Sequence, residues 1–407
     1  MSKGKLINPH MSNASFQVTF LLVNSLTWLF IERRNLGIIL NKIGVLTQGN
    51  FIIWGVWDLA IISSGIIGAV LSTKIKKSLF LYLWTISGVW ASSLIYCLQY
   101  LQNSLYVIPL SFFWGLSFGI GMPSCLSYFA EQTTFENRGA ISGLIFFITS
   151  SITPLVISTS GMNFALSLIS IGWRATSFMV LITLGVKENS SESKKAAASF
   201  KSILSDKNIA LYLVPWFMFS FVYGFQKVTI EQTLPADFYD LLKVIQAASA
   251  MISAVIIGIL CDRIGRKHVV TYGFILLGIA YAVVSIAPYS SVSFYFYSLV
   301  DGIAWSIFII MFVLTLWGDL SVINAKSAEK YYAIGSIPFF FADFIGFLFA
   351  AYMQAPISTA FSIASFFLFL AVVPLMYAPE TLPEKKRRER ELKEYIERAK
   401  KVREKFT

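Results

Sequence analysis

The chain has 407 residues, of which 56% are hydrophobic and 14% charged. Soluble globular chains carry about 25% charged residues, so this composition excludes a water-soluble fold and points to a bilayer. The net charge of +11 would suit nucleic acid, but eleven of the 33 lysines and arginines lie in the last 29 residues and most others in short connectors, a membrane-topology pattern that leaves no role for nucleic acid.

A hydrocarbon core about 30 Å thick requires roughly 20 apolar residues per crossing. In chain order, apolar runs of that length predict an all-α membrane protein with twelve transmembrane helices, near 16–38, 50–72, 79–99, 105–130, 140–160, 165–186, 209–231, 241–261, 269–288, 293–317, 331–353 and 357–378. The first follows Lys3 and Lys5 and lacks a small-residue cleavage site, so it reads as a spanning helix and not as a removed signal peptide. Trp173 and Arg174 interrupt the sixth and leave its start open. Basic residues gather in alternate connectors: Lys74, Lys76, Lys77, Arg138, Lys187, Lys194, Lys195, Arg263, Arg266, Lys267, Lys326 and the tail. The rule that such connectors stay inside puts both termini in the cytoplasm of a multi-pass protein of the cell membrane.

The hydrophilic stretch 187–208 divides the chain into two sets of six spans, 1–186 and 209–378. It reads as a cytoplasmic linker with an amphipathic segment. The tail, 379–407, carries Glu and Lys/Arg at i,i+4 spacing and reads as a solvated helix. Its basic excess suits either contact with anionic lipid heads or plain solubility. Cys97, Cys125 and Cys261 are scattered through apolar runs, and His10 and His268 are far apart, so neither a metal site nor any other cofactor is expected.

Between the eighth and ninth spans the chain reads GILCDRIGRKHVV, with Gly258, Asp262, Arg263, Gly265, Arg266 and Lys267 in fixed spacing. Glycine at 258 permits close approach of another helix, and Asp262 is placed to cap the positive end of a neighbour. The spacing resembles the loop signature of the major facilitator superfamily, G-x-x-x-D-R-x-G-R-[RK], at every specified position. An equivalent is due between the second and third spans, because the superfamily is built from two pseudo-symmetric six-helix bundles. GAVLSTKIKK supplies it in degenerate form: Gly68, Lys76 and Lys77 are kept, and Ser72 stands for Asp. Glu131 and Arg138 in EQTTFENRG, and Pro379-Glu380-Thr381 after the last span, resemble elements of the sugar-porter branch. That branch's P-E-S-P-R linker and Q-Q-x-x-G pattern are missing. The fifth span lacks the G-x-x-x-G-P-x-x-G-G of drug antiporters and keeps only Gly143 and Pro154. The resemblance implies that Glu131, Arg138 and the 258–267 cluster form a cytoplasmic gate holding the halves together when the cavity opens outward.

An Asp, Lys or Arg at a helix centre costs roughly 2.5–3.5 kcal/mol on insertion scales, so each charge within a span asks for a function. These are Glu32, Arg33, Arg34, Asp58, Lys227, Glu231, Asp301 and Asp343. The resemblance places the substrate cavity mainly on spans 1, 4, 7 and 10, which offer Asn24, Trp28, Glu32, Arg33, Gln226, Lys227 and Trp305. Lipid anchoring is the competing role for each Trp, as apt as any for Trp54 and Trp317. Asp58 is expected to pair with Arg33 or Arg34. Asp343, Asp58 and Asp301 are the candidates for proton coupling; for Asp343, with aromatic neighbours near mid-span, the competing role is a structural pairing with Lys227. The reading is a non-enzymatic secondary transporter, acting as a monomer by alternating access and moving a sugar or organic anion, coupled to protons. An efflux pump for amphipathic compounds, or a non-transporting membrane sensor or scaffold, is the alternative.

Overall fold

The computed structural model describes residues 13–43, 47–98, 106–159, 163–186, 199–324, 328–352, 356–383 and 396. Its elements are α1 (Asn13–Ile43), α2 (Thr47–Leu71), α3 (Lys77–Leu98), α4 (Val107–Gln132), α5 (Arg138–Thr159) and α6 (Asn163–Leu184). After the short α7 (Phe200–Leu204) come α8 (Lys207–Thr233), α9 (Ala236–Ile264), α10 (Arg266–Ile286) and α11 (Ser291–Phe308). A π-helical turn (Ile309–Thr315) runs on into α12 (Leu316–Ile323), followed by α13 (Ala328–Tyr352) and α14 (Ile357–Tyr377). No strand occurs among the described residues. In lipid every backbone amide must be satisfied within its own segment, and helices achieve this. Nine stretches among the described residues are long and apolar enough to cross a membrane, and Leu168–Leu184 is a shorter one.

The side-chain distribution is that of a bilayer solute. Trp90, Val244, Ile252, Phe366 and Met376 face outward, whereas Glu32, Asp58, Arg138, Arg174, Arg266, Asp301 and Asp319 are buried. Charges that lipid will not solvate are turned inside and given partners there.

By backbone contacts the chain forms two compact units: 1–133, 148–197 and 327–334 in one, and 134–147, 198–326 and 335–407 in the other. In the first, α2 packs on α4, and α6 packs on α1 and α3. Its interior is built on Trp28, Trp57, Trp84 and Trp114. The Trp84 indole donates to the Ser117 carbonyl at 2.9 Å and that of Trp114 to the Ala91 carbonyl at 2.8 Å, so these two rings fill the core with their donors satisfied. In the second unit α9 packs on α11, and α14 on α8 and α10. The core there is an aromatic cluster in which Trp216 stacks on Phe312 at 4.7 Å and Phe219 meets Phe308 in a tilted contact at 4.5 Å.

Two local expectations change. The sixth span is not interrupted at Trp173-Arg174: α6 runs unbroken from Asn163, because Arg174 turns inward among aromatic rings. Trp317 is no lipid anchor; it is buried and donates to the Phe312 carbonyl of the π turn. Residues 187–198 of the linker, and 384–395 and 397–407 of the tail, lie outside the described residues.

Candidate functional site

In the second unit, α8 presents Tyr223, Gln226, Lys227 and Ile230, and α9 presents Tyr239, Leu242, Lys243 and Gln246. Both sets follow i, i+3, i+4, i+7 spacing, which places each on one helix face. With Tyr297 and Ser298 of α11 they line a pocket of about 110 Å³. Gln226 Nε2 donates to Tyr297 Oη at 2.7 Å, and its Oε1 accepts from Tyr281 at 3.4 Å. Lys243 lies 4.0 Å over the Tyr239 ring. Gln246 Nε2 donates to Asp301 Oδ2, and Asp301 itself is buried with no ion-pair partner among the described residues. Trp305 stands edge-on to Tyr223 at 4.7 Å, and its indole N–H meets no acceptor among the described residues. The wall thus carries two ammonium groups, three phenols and two amides, with one carboxylate directly behind it. Such a surface grips polar solutes, and Lys243 is also paired with Asp240 at 2.9 Å.

The 258–267 loop belongs to a second arrangement in the same unit. Arg266 is fully buried: Nε donates to Asp319 Oδ2 at 3.0 Å, and Nη1 to Asp262 Oδ1 and the Cys261 carbonyl, each at 2.7 Å. Its Nη2 donates to the Phe135 carbonyl at 2.7 Å. Arg138 pairs with the other oxygen of Asp319. Asp262 accepts from the amides of Gly139 at 2.9 Å and Ala140 at 2.7 Å, so it caps the first turn of α5. Glycine at 258 is required by this close approach: a Cβ there would come within 2.5 Å of the Gly139 carbonyl oxygen. Gly265 has φ of 115°, a conformation that favours glycine, and turns the chain from α9 into α10. Glu380 then caps α10, accepting from the amides of Arg266 at 2.8 Å and Lys267 at 3.2 Å. Lys267 Nζ donates to the Met376 carbonyl at 2.7 Å. Arg263, expected within the cluster, is instead exposed and joins none of these bonds, because its position on α9 faces away from α5.

The first unit holds its own ionic group. Lys77 pairs with Glu131 and, at 3.2 Å, with Glu329, and Ser127 Oγ donates to these carboxylates at 2.9 and 2.8 Å. Among the residues expected to line a cavity, Asn24, Trp28 and Glu32 are buried here and bonded to α3 and α6. Asn24 Nδ2 donates to the Trp173 carbonyl at 2.6 Å. Glu32 Oε1 accepts from Trp28 Nε1 at 3.0 Å, from Ser92 Oγ at 2.6 Å and from Ser170, and Oε2 accepts from Asn35 at 3.4 Å. Arg33 lies 5.0 Å over the Trp54 ring, and Asp58 is buried on α2. Asp343 falls within α13, and its side chain lies outside the described residues. Sequence reasoning missed Gln246 and Tyr297, whose helical spacing with the charged residues was readable; Glu380 stood out only as part of a sugar-porter element, since no local spacing reveals its capping role.

The fold and these sites define a multi-pass helical membrane protein with a polar pocket and buried ionic groups at its helix ends. No protein-family model and no curated protein matches the sequence. Solved structures match it in fold. The human organic anion transporter MFSD10 (TETRAN) is 11% identical, with a TM-score of 0.65 over 90% of this chain and 100% of that one. The major facilitator superfamily transporter FucP in its outward conformation is 14% identical, with a TM-score of 0.67 over 89% and 99%. The proton:xylose symporter XylE, bound to 6-bromo-6-deoxy-D-glucose, is 14% identical, with a TM-score of 0.65 over 91% and 97%. The chain therefore has the fold of the major facilitator superfamily transporters.

Proposed function

We propose that the chain is a twelve-span secondary active transporter of two six-helix bundles, moving a small organic anion across the cell membrane by alternating access in symport with protons. The termini are cytoplasmic, and the Asp319-centred ionic group acts as the cytoplasmic latch. The pocket carries this reading: Lys227 and Lys243 on its wall supply attraction for a carboxylate or similar anion, while Tyr223, Tyr239, Tyr297, Gln226 and Gln246 supply hydrogen bonds. Asp301 is the coupling acid, since it is buried, lacks an ion-pair partner among the described residues and touches the pocket through Gln246. Among the structural neighbours, MFSD10 is an organic anion transporter and XylE a proton:xylose symporter, which agrees with either cargo class.

The test is uptake by proteoliposomes under an imposed pH gradient, with a panel of labelled carboxylic acids and sugars. A carboxylic acid should accumulate when the lumen is alkaline, and Lys227→Gln should raise its KM about tenfold, the usual scale for losing one charge-assisted contact. Accumulation of neutral sugars alone would move the cargo to that class. If no panel solute moves and amphipathic dyes are extruded instead, the symporter reading fails.

A further inference from the structure

Arg174 lies on α6 in the middle of the first unit, with no exposed surface. Its guanidinium is held between two indoles, 4.7 Å from the Trp28 ring and 4.3 Å from the Trp84 ring. Nη1 is engaged from α1, donating to Ser25 Oγ at 2.8 Å and Asn24 Oδ1 at 3.3 Å. The stem lies across Gly88 of α3, where a Cβ would come within 2.5 Å of Nε. Nε and Nη2 meet no acceptor among the described residues. The other buried charge at the interface of α1, α3 and α6 does not answer this one. Glu32 lies across Trp28 from it, and both its carboxylate oxygens are committed to Trp28, Ser92, Ser170 and Asn35.

The two open donors are not scattered. Nε–H and the nearer N–H of Nη2 lie on one edge of the guanidinium plane and point in parallel, which is the fork that grips the two oxygens of a carboxylate. Asn24 and Ser25 fix the opposite edge, and the paired indoles fix the plane. A guanidinium that served only as a core cation would have its fork turned to a protein carboxylate or carbonyl. We propose that Arg174 anchors a buried oxyanion site in the first unit, its Nε–Nη2 edge taking a carboxylate in bidentate fashion with Trp28 and Trp84 as walls. The site is independent of the pocket on α8 and α9, and its occupant is either a resident small carboxylate ion or the carboxylate of a transported solute.

The probe is acetate, titrated into the purified full-length protein against chloride at matched ionic strength, with thermal midpoint and tryptophan fluorescence as readouts. Acetate should raise the midpoint saturably and change the fluorescence, because the anion sits between two indoles. Arg174→Lys keeps the charge but loses the fork, and should weaken the apparent affinity by about tenfold or more. No saturable acetate effect, an equal effect in Arg174→Lys, or an equal effect of chloride each overturns the proposal. If Arg174→Lys does not fold, the wild-type fluorescence titration decides. A saturable change that Trp84→Phe diminishes supports the site, and no change, or one that Trp84→Phe leaves intact, overturns it. In the uptake assay, acetate competing with the solute assigns the site to the solute's own carboxylate, whereas faster or unchanged uptake assigns it to a resident ion.

Discussion

Asp319 is one carboxylate held by two buried arginines, Arg138 and Arg266. Removing it leaves two buried guanidinium groups with only Asp262, on Arg266, as a carboxylate partner in this group, and breaking a buried pair in this way typically costs about 3–5 kcal/mol. Asp319→Ala is therefore expected to lower the thermal midpoint of the detergent-solubilised protein sharply. Arg263→Ala, two helix positions from the turn but exposed, should leave it unchanged. A small effect of Asp319→Ala would show that Asp262 alone suffices for the two arginines. The loop signature announced Asp262, Arg266 and the close glycine in the sequence. The partner was less legible, because Asp319 lies more than fifty residues away in the chain and only the fold brings α12 back to that turn. Arg263, part of the same motif, is exposed: the motif fixes spacing, whereas the face a residue occupies depends on what packs against the helix.

At the scale of elements, apolar run length anticipated an all-helical chain, in which nine stretches among the described residues are long and apolar enough to span, since the bilayer imposes length directly on sequence. Their ends moved outward by a few residues wherever polar first and last turns extend beyond the apolar stretch, as in α1 and α9. The π turn was not legible. It arises from a backbone register that no residue type in IIMFVLT demands, and its Thr315 hydroxyl lies 3.1 Å from Ser142 of α5. The junction of α5 with α9 supplies a prediction at this scale. Gly258→Val would force a branched side chain into the space of the Gly139 carbonyl, part the two helices, and break the Asp262 cap on Gly139 and Ala140. Cysteines placed near this junction should become more reactive in that variant while the purified protein stays monodisperse. Unaltered reactivity would mean that the helices accommodate the valine without separating.

For the whole molecule, the proposed binding, coupling and latching roles fall on different residues, so substitutions should separate them. Asp301→Asn keeps the shape and the Gln246 contact but cannot exchange a proton. It should abolish pH-driven accumulation while solute exchange across the membrane continues; accumulation at the wild-type level would dismiss Asp301 as the coupling acid. Arg266→Ala should bias the protein towards the state in which the latch is open, read as greater labelling of cysteines on the cytoplasmic side. The pocket was half visible in sequence. Gln226 and Lys227 stood out as polar groups inside an apolar span, whereas Tyr239 and Tyr297 did not, because tyrosine serves as readily in an apolar core.

The π turn interrupts a single apolar rod that runs from Ser291 to Ile323. A π turn holds one residue more than the α turn it replaces, and each α-helical residue advances the azimuth by about 100°. Asp301 lies on one side of that surplus and Asp319 on the other. Sliding the surplus one turn along the rod re-aims every side chain it passes, while the rod keeps its length and the bonds beyond the moving turn stay made. While the surplus stays between Asp301 and Asp319, their spacing and relative bearing are both unchanged, so this helix can turn the side chains in between without disturbing either acid, as a vernier slides between fixed marks.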